Sequence, residues 1–431
     1  MMGAARAVGL LQRRELSAEQ LVRDCLSRIE AREPVVQAWE VVDAEGALRE
    51  ARRIDGLRER PLLCGLPVGI KDLIDTADLP TTYGSRIYRD HRPTRDAACV
   101  RALRTSGAVV LGKTVTTEFA GYAPGKTSNP RDLARTPGGS SSGSAAAVAD
   151  GMVPFALGTQ TAGSVIRPAA YCGVIGWKPA YGEFSLEGVH PLAPSLDTLG
   201  FFVRELADVP LVSAALAGAA PLPLPHPQRR PVFGFCKTDL WERVEPSTRQ
   251  AIEAAAAKLE LSGAEVREVA LPASFKGLLE AQVAIMGAET AVSLRRELED
   301  SPGELSARLR ETLEAGRAVS AEQLEAARAQ AGVCRRELDQ LLAPLDALLT
   351  LAVAGEAPVG LDSTGDPAFC RIWTLLGTAC ASLPVLRGPA GLPVGLQLVG
   401  RRGGDEALLG AAAFALSALE HGVGADGFEP S

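Results

Sequence analysis

Between Pro137 and Trp177 the chain places five serines and eight glycines but only two charged side chains, Asp150 and Arg167. Two blocks carry most of them: Gly-Gly-Ser-Ser-Ser-Gly-Ser-Ala-Ala-Ala-Val at 138–148 and Gly-Thr-Gln-Thr-Ala-Gly-Ser-Val-Ile-Arg-Pro at 158–168. A stretch so poor in charge belongs inside a protein, where each hydroxyl must find a hydrogen-bond partner. Glycines there let backbone approach other groups closely or take positive φ. Hydroxyls held on tight interior turns point to a catalytic site. A flexible Gly/Ser linker is the alternative, and the interleaved Ala145-Ala-Ala-Val148 and Met152-Val-Pro-Phe-Ala-Leu157 argue against it.

A serine hydroxyl is a weak nucleophile and needs a base within hydrogen-bond reach. Histidine is scarce, with only His91, His190, His226 and His421. Lysine is the next candidate. It must be neutral to accept a proton, and burial favours that state by disfavouring the ammonium. Lys71 directly follows the apolar run Leu66-Pro-Val-Gly-Ile70, where its amine can be drawn inward. Taken alone, it reads more simply as a lysine marking a solvated strand end.

Two other motifs match in letters and not in physics. Gly107-Ala-Val-Val-Leu-Gly-Lys113-Thr114 has P-loop spacing, but that loop must be flexible between its glycines, and Ala-Val-Val-Leu reads as a strand. Gly139-Ser-Ser141-Ser-Gly143 matches a nucleophile elbow. An elbow follows a strand directly, and Asp132-Leu-Ala-Arg-Thr-Pro137 does not make one.

The chain has 431 residues, enough for one large α/β domain or two ordinary ones. Its net charge is −7, and its arginines are interspersed with glutamates, as at Glu242-Arg243 and Arg295-Arg296-Glu297. That pattern is solvated helix surface, so no direct nucleic-acid contact is expected. Eight cysteines are scattered without C-x-x-C or metal-ligand spacing, so no metal or cofactor is expected and a reduced, cytoplasmic setting fits. Met1–Leu11 is too weakly apolar for a secretory segment, and no run of eighteen apolar residues exists to span a membrane.

The periodicity predicts a helix over 16–32 capped by Ser17, a strand at Leu66–Ile70, a helix at Ala97–Ser106 and a buried strand at Ala108–Leu111. Alternating apolar runs and turns continue to Val203, followed by a proline-dense connection at Ala219–Arg230. Beyond it come a helix at Thr248–Leu261, a strand at Val266–Leu271, helical patterns over 275–342 and a strand at Ala347–Val353. A loose Gly/Pro stretch then leads to a strand at Gly391–Gly400 and a helix at Glu406–Leu419, with 422–431 as a frayed tail. This alternation predicts an α/β fold, a large mixed sheet with helices on both faces. One domain over 1–431 is expected, because the part beyond the proline connection is too strand-poor for its own sheet. Within it, core motifs occupy 60–205, a variable helix-rich region 220–380, and the last strand and helix 391–419.

Read together, Gly69-Ile-Lys71-Asp, Gly-Gly-Ser140-Ser-Ser-Gly-Ser, Gly-Thr-Gln-Thr-Ala-Gly-Ser164, Cys172-Gly-Val-Ile-Gly-Trp-Lys-Pro and Ser195-Leu-Asp-Thr resemble the amidase signature family. The resemblance spans roughly 60–205. It implies hydrolysis of a carbon–nitrogen amide bond, other than a peptide bond, by a Ser-cis-Ser-Lys triad. Ser164 is then the nucleophile that forms an acyl-enzyme, and Lys71 the base. Ser140, on a cis peptide bond, relays the proton, and Ser141 is expected to hydrogen-bond the lysine. The N–H groups of Thr161, Ala162, Gly163 and Ser164 correspond to the family's oxyanion hole. Ala162 stands where most members carry glycine, and a left-handed φ there would strain the turn.

Gln160 before the nucleophile and Arg167 three residues after it are similar to the malonamidase branch, in which such an arginine holds a substrate carboxylate. An ion pair with Asp197 or Asp150 is the structural alternative. The resemblance thus implies a small amide substrate, possibly bearing a carboxylate, no nucleic acid, no membrane and, if the chain assembles, a homodimer. Two other readings stand beside it: the ammonia-releasing glutaminase component (the A subunit) of a tRNA-dependent amidotransferase, and a non-catalytic binding protein on the same fold.

Overall fold

The computed structural model describes residues 2–121, 123–225 and 229–420. Eleven strands among them form one mixed sheet: β1 (Trp39–Val42), β2 (Pro67–Lys71), β3 (Val109–Thr114), β4 (Phe155–Gln160), β5 (Ile175–Lys178), β6 (Thr198–Val203), β7 (Val232–Cys236), β8 (Glu265–Val269), β9 (Ala347–Leu351), β10 (Cys380–Arg387) and β11 (Pro393–Val399). Their order is β1-β3-β2-β4-β6-β5-β10-β11-β9-β7-β8. β2 runs parallel to both β3 and β4, and β7 to both β8 and β9, while the strands between pair antiparallel. Strands from both sides of the proline-dense connection therefore join a single sheet. Helices cover both of its faces, and β2, β3, β4 and β6 are buried along their whole length. Such burial explains why these strands read as continuous apolar runs and not as alternating ones.

The P-loop pattern is strand β3, and its Lys113 is buried against Asp72 at 3.4 Å, donating to Ile74 O and Thr81 Oγ1. The predicted helices at 16–32, 97–106 and 248–261 are present as Ala18–Val36, Ala98–Thr105 and Pro246–Leu261. The helical patterns over 275–342 resolve into Leu278–Ser293, Arg295–Asp300, Ala307–Arg317 and Ala321–Leu342. The stretch read as loose Gly/Pro holds the helix Ala368–Leu375 and β10. Pro384 hides β10 in the sequence, and its register against β11 shifts between Leu383 and Leu386, an irregularity that accommodates a proline. The expected tail at 422–431 lies outside the described residues.

The helix Ser142–Ala149 is buried at every position and carries nothing larger than valine. Its small residues let it lie close under the sheet. Gly143 donates its N–H to Val115 O at 3.0 Å. A Cβ there would sit 2.1 Å from Ala38 O and 2.4 Å from Val115 N, both backbone atoms. This close approach positions Ser140, Ser141 and Ser142 just after β3 in space. Gly143→Ala is expected to destabilise the protein by at least about 1–3 kcal/mol, seen as a lowered Tm. Gly303→Ala, with nothing within 4 Å of the new methyl, should leave Tm unchanged. Equal Tm values for the two variants would contradict the packing described.

Candidate active site

Lys71 ends β2 between two parallel neighbours, opposite Thr114 of β3, while Ile70 pairs with Leu157 of β4. That register brings the lysine beside the end of β4, and it is 0% exposed. Its Nζ donates to Ser140 Oγ and to Thr159 Oγ1, each at 2.7 Å. Burial pulls its pKa down to about 7, against the opposing pull of the Asp197 carboxylate. A large fraction of the amine is therefore neutral near pH 7.

The Gly139–Ser140 peptide bond is cis. Ser141 does not reach the lysine. Its hydroxyl bonds the backbone of Thr159, donating to the carbonyl at 3.2 Å and accepting from the N–H at 3.3 Å. Thr159 fills the anticipated role, and Ser141 braces Thr159. The distinction was not readable from sequence, because Thr159 meets Lys71 only through the strand register.

Ser164 closes the turn between β4 and the helix Ile166–Cys172. Three side chains hold that turn from behind. Gln160 Oε1 accepts from Val165 N and Ile166 N at 2.8 and 3.0 Å, while its Nε2 donates to Thr374 Oγ1. Thr374 Oγ1 donates to Ala162 O at 2.7 Å, and Gln282 Nε2 to Thr161 O at 3.2 Å. The Arg371 guanidinium in turn bonds Gln282 Oε1. With the carbonyls held, the N–H groups of Ala162, Gly163 and Ser164 have no acceptor among the described residues. Ala162 does not adopt positive φ, so the alanine brings no left-handed strain. Ser164 Oγ likewise has no hydrogen-bond partner among the described residues, which leaves it available to a ligand.

Arg167 is buried; its two terminal nitrogens bond main-chain oxygens and one hydroxyl, while its Nε has no partner among the described residues. It donates to Gly365 O and Gly139 O at 2.6 Å each, and to Thr364 Oγ1 at 3.1 Å. The expected ion pair with Asp197 or Asp150 is not formed. Asp150 is taken by Arg28 and Arg32, and Asp197 by Thr161 Oγ1 at 2.6 Å and the N–H groups of Leu192 and Ala193. By gripping Gly139 O, Arg167 ties the loop of Ser164 to the loop of Ser140. Burial raises the Asp197 pKa to about 6 against those three hydrogen bonds. No group of three or more His, Cys, Asp or Glu side chains suited to a metal ion occurs among the described residues. Of the histidines, His226 and His421 lie outside the described residues.

A buried amine bonded to one serine, and a second serine on a turn of N–H groups without acceptors among the described residues, are groups that acyl transfer uses, though no hydrogen bond joins the two serines. The family model described as Amidase matches residues 20–409, and the chain belongs to that family. A similar relative is the A subunit of the glutamyl-tRNA(Gln) amidotransferase of Roseiflexus castenholzii (strain DSM 13941 / HLO8), 36% identical over 94% of this chain and 93% of that one. Among solved structures, a crystal structure of an amidase superposes with TM-score 0.89 and 33% identity, covering 97% of this chain and 100% of that one. A peptide amidase in complex with chymostatin superposes with TM-score 0.82 and 31% identity, over 95% of each chain. The protein is thus an amide hydrolase by family. The expected partner set, a small amide with no direct nucleic acid and, if the chain assembles, a homodimer, is corrected by the first of these relatives, which is by name one component of an amidotransferase for a tRNA.

Nitrogen NMR of Lys71 Nζ should titrate at about 7. Asp197 holds that pKa up, so Asp197→Asn should move the midpoint lower. A midpoint near the ordinary 10.5, or one unmoved by Asp197→Asn, would contradict the electrostatics described.

Proposed function

We propose that this chain is the amide-hydrolysing component (the A subunit) of a tRNA-dependent amidotransferase, releasing ammonia from glutamine through an acyl-enzyme on Ser164. The observation that carries the chemistry is the fully buried Lys71 Nζ, 2.7 Å from Ser140 Oγ. End-to-end likeness to relatives of that name supports the setting. No disulfide links the eight cysteines, which supports a reduced, cytoplasmic compartment.

In this reading Ser164 Oγ attacks the amide carbon while its proton passes to Ser140, whose own proton passes to neutral Lys71. The N–H groups of Ala162, Gly163 and Ser164, with that of Thr161, meet the negative charge that builds on the carbonyl oxygen. The tetrahedral adduct collapses as Lys71 returns the proton through Ser140 to the departing nitrogen. Ammonia leaves and the acyl group remains esterified to Ser164. Water then attacks the ester, gives a proton along the same path, and the acid departs as Ser164 regains its hydrogen. Gln160, Thr374 and Gln282 hold the turn in place, and Arg167 keeps the two serine loops in register.

Ser164→Ala should abolish acyl-enzyme formation, and Lys71→Ala should reduce turnover by about 10²–10⁴-fold. Ammonia release from glutamine should rise sharply when the other components of the assembly co-purify. Full release by the isolated chain would return it to an independent amidase. Failure of a fluorophosphonate to label Ser164 would favour a non-catalytic protein on this fold.

A further inference from the structure

The relay described above needs two hydroxyls on separate loops to come within about 3 Å of each other, and no hydrogen bond joins them in the structure. Whatever sets their spacing is therefore part of the chemistry. The Ser140 loop is gripped by the segment that follows β3. Thr117 donates its N–H to Ser140 O at 3.2 Å, and Val115 O accepts from Gly143 N and Ser142 Oγ at 3.0 and 3.3 Å. This segment then closes into a turn. Thr117 Oγ1 donates to Gly121 O at 2.8 Å, Ala120 N to Thr117 O at 3.0 Å and Gly121 N to Glu118 O at 2.7 Å. Phe119 and Ala120 have φ of 47° and 57°, two successive non-glycine residues in the left-handed region. L side chains disfavour that conformation, so it persists only where the surroundings enforce it.

Glu118 ties this turn to the helix-rich region. It is buried, and its Oε1 and Oε2 accept the Ser306 N–H at 3.1 and 3.3 Å. Ser306 is the N-cap of the helix Ala307–Arg317, its Oγ accepting from Leu309 N at 3.2 Å. That helix meets Leu278–Ser293 backbone to backbone, since a Cβ on Gly316 would sit 2.1 Å from Gly287 O. Leu278–Ser293 carries Gln282, whose Nε2 holds Thr161 O in the turn of Ser164. One pair of packed helices thus bonds both serine loops, through Gln282 on one side and through Glu118 and Thr117 on the other. A carboxylate at a helix N-terminus also stabilises the helix in its own right, so a test must separate that effect from an effect on the serines.

We infer that Glu118 is a positioning residue for the proton relay: by fastening the Thr117–Gly121 turn to the helix Ala307–Arg317, it sets Ser140 at the distance from Ser164 that the transfer requires. It acts through Thr117 N–H and Ser140 O. The amine of Lys71 is outside its reach of action, because β2 and its neighbours bury that group whatever the turn does. Loss of the carboxylate therefore slows the transfer and leaves unchanged the pH at which Lys71 becomes neutral. The inference deepens the acyl-enzyme reading and rests on it for the identity of the nucleophile.

The rate constant for modification of Ser164 by a fluorophosphonate, measured across pH, tests this. Glu118→Ala should lower it by about 10–10²-fold, with the pH midpoint still at about 7. Glu118→Gln, which keeps one acceptor for the Ser306 N–H, should restore most of the rate. Ser306→Pro removes that N–H at a φ of −61°, which proline shares, and should slow labelling as Glu118→Ala does. Ser320→Ala removes the cap of another helix, Ala321–Leu342; it should lower Tm and leave the rate constant at the wild-type value. Lost stability alone reduces the fraction of protein labelled and not the rate constant. A wild-type rate constant in Glu118→Ala, or a slowing that comes with a moved midpoint, overturns the inference. Amide hydrogen exchange at Thr117 needs no chemistry: Glu118→Ala should speed it about tenfold or more and Ser320→Ala should not. Equal exchange in these two variants also overturns the inference. Faster Thr117 exchange in Glu118→Ala, in a protein whose wild type no fluorophosphonate labels, supports the positioning contact and strikes only the acyl-enzyme reading.

Discussion

A lysine amine buried at the end of a central strand, with no carboxylate in contact with it, is driven to give up its proton. In β2, flanked by parallel strands and covered on both faces, Lys71 is fully buried. The sheet thereby does what no neighbouring side chain could do alone: it holds a strong base near neutrality, where it can accept a proton. The rest of the site is arranged around that fact. Ser140 and Thr159 take the hydrogens of the amine, and Asp197 sets how far the pKa falls. Without the burial, the same residues would surround an ammonium with nothing to accept.

The second requirement is that two loops from different parts of the sheet stay in register. The Ser140 loop is fixed by Gly143, whose missing side chain lets backbone meet backbone. The Ser164 turn is fixed by hydrogen bonds to its carbonyls from Gln282 and Thr374, both of which come from the helix-rich region. Arg167 joins the loops by holding Gly139 O and Gly365 O together. A charged side chain spent on backbone oxygens contributes position.

Much of this was legible from the chain. Lys71, Ser140 and Ser164 sit in local motifs whose glycine spacing is specific, and the helices between 275 and 342 declare themselves by period. The misses share one cause, contact between residues distant in sequence. Gly365, an acceptor for Arg167, is 198 positions away, so the sequence offers Asp197 and Asp150 as partners for Arg167 and not the backbone oxygens it holds. Thr159 looked like an ordinary strand residue until the register of β2 and β4 set it beside Lys71. Glu297 lies in a charged run, Arg295-Arg296-Glu297, that reads as solvated helix, and only packing shows that this one glutamate turns inward. Strand β10 was hidden by Pro384, which a bulge accommodates.

The account depends on neutral Lys71 drawing the proton from Ser164 through Ser140, and the rate at which a fluorophosphonate modifies Ser164 reports that transfer directly. Measured across pH, the second-order rate should climb about tenfold per unit below pH 7 and level off above it, following the Lys71 midpoint. A rate that is flat through this range, or one that climbs only towards the ordinary lysine value of 10.5, would contradict it.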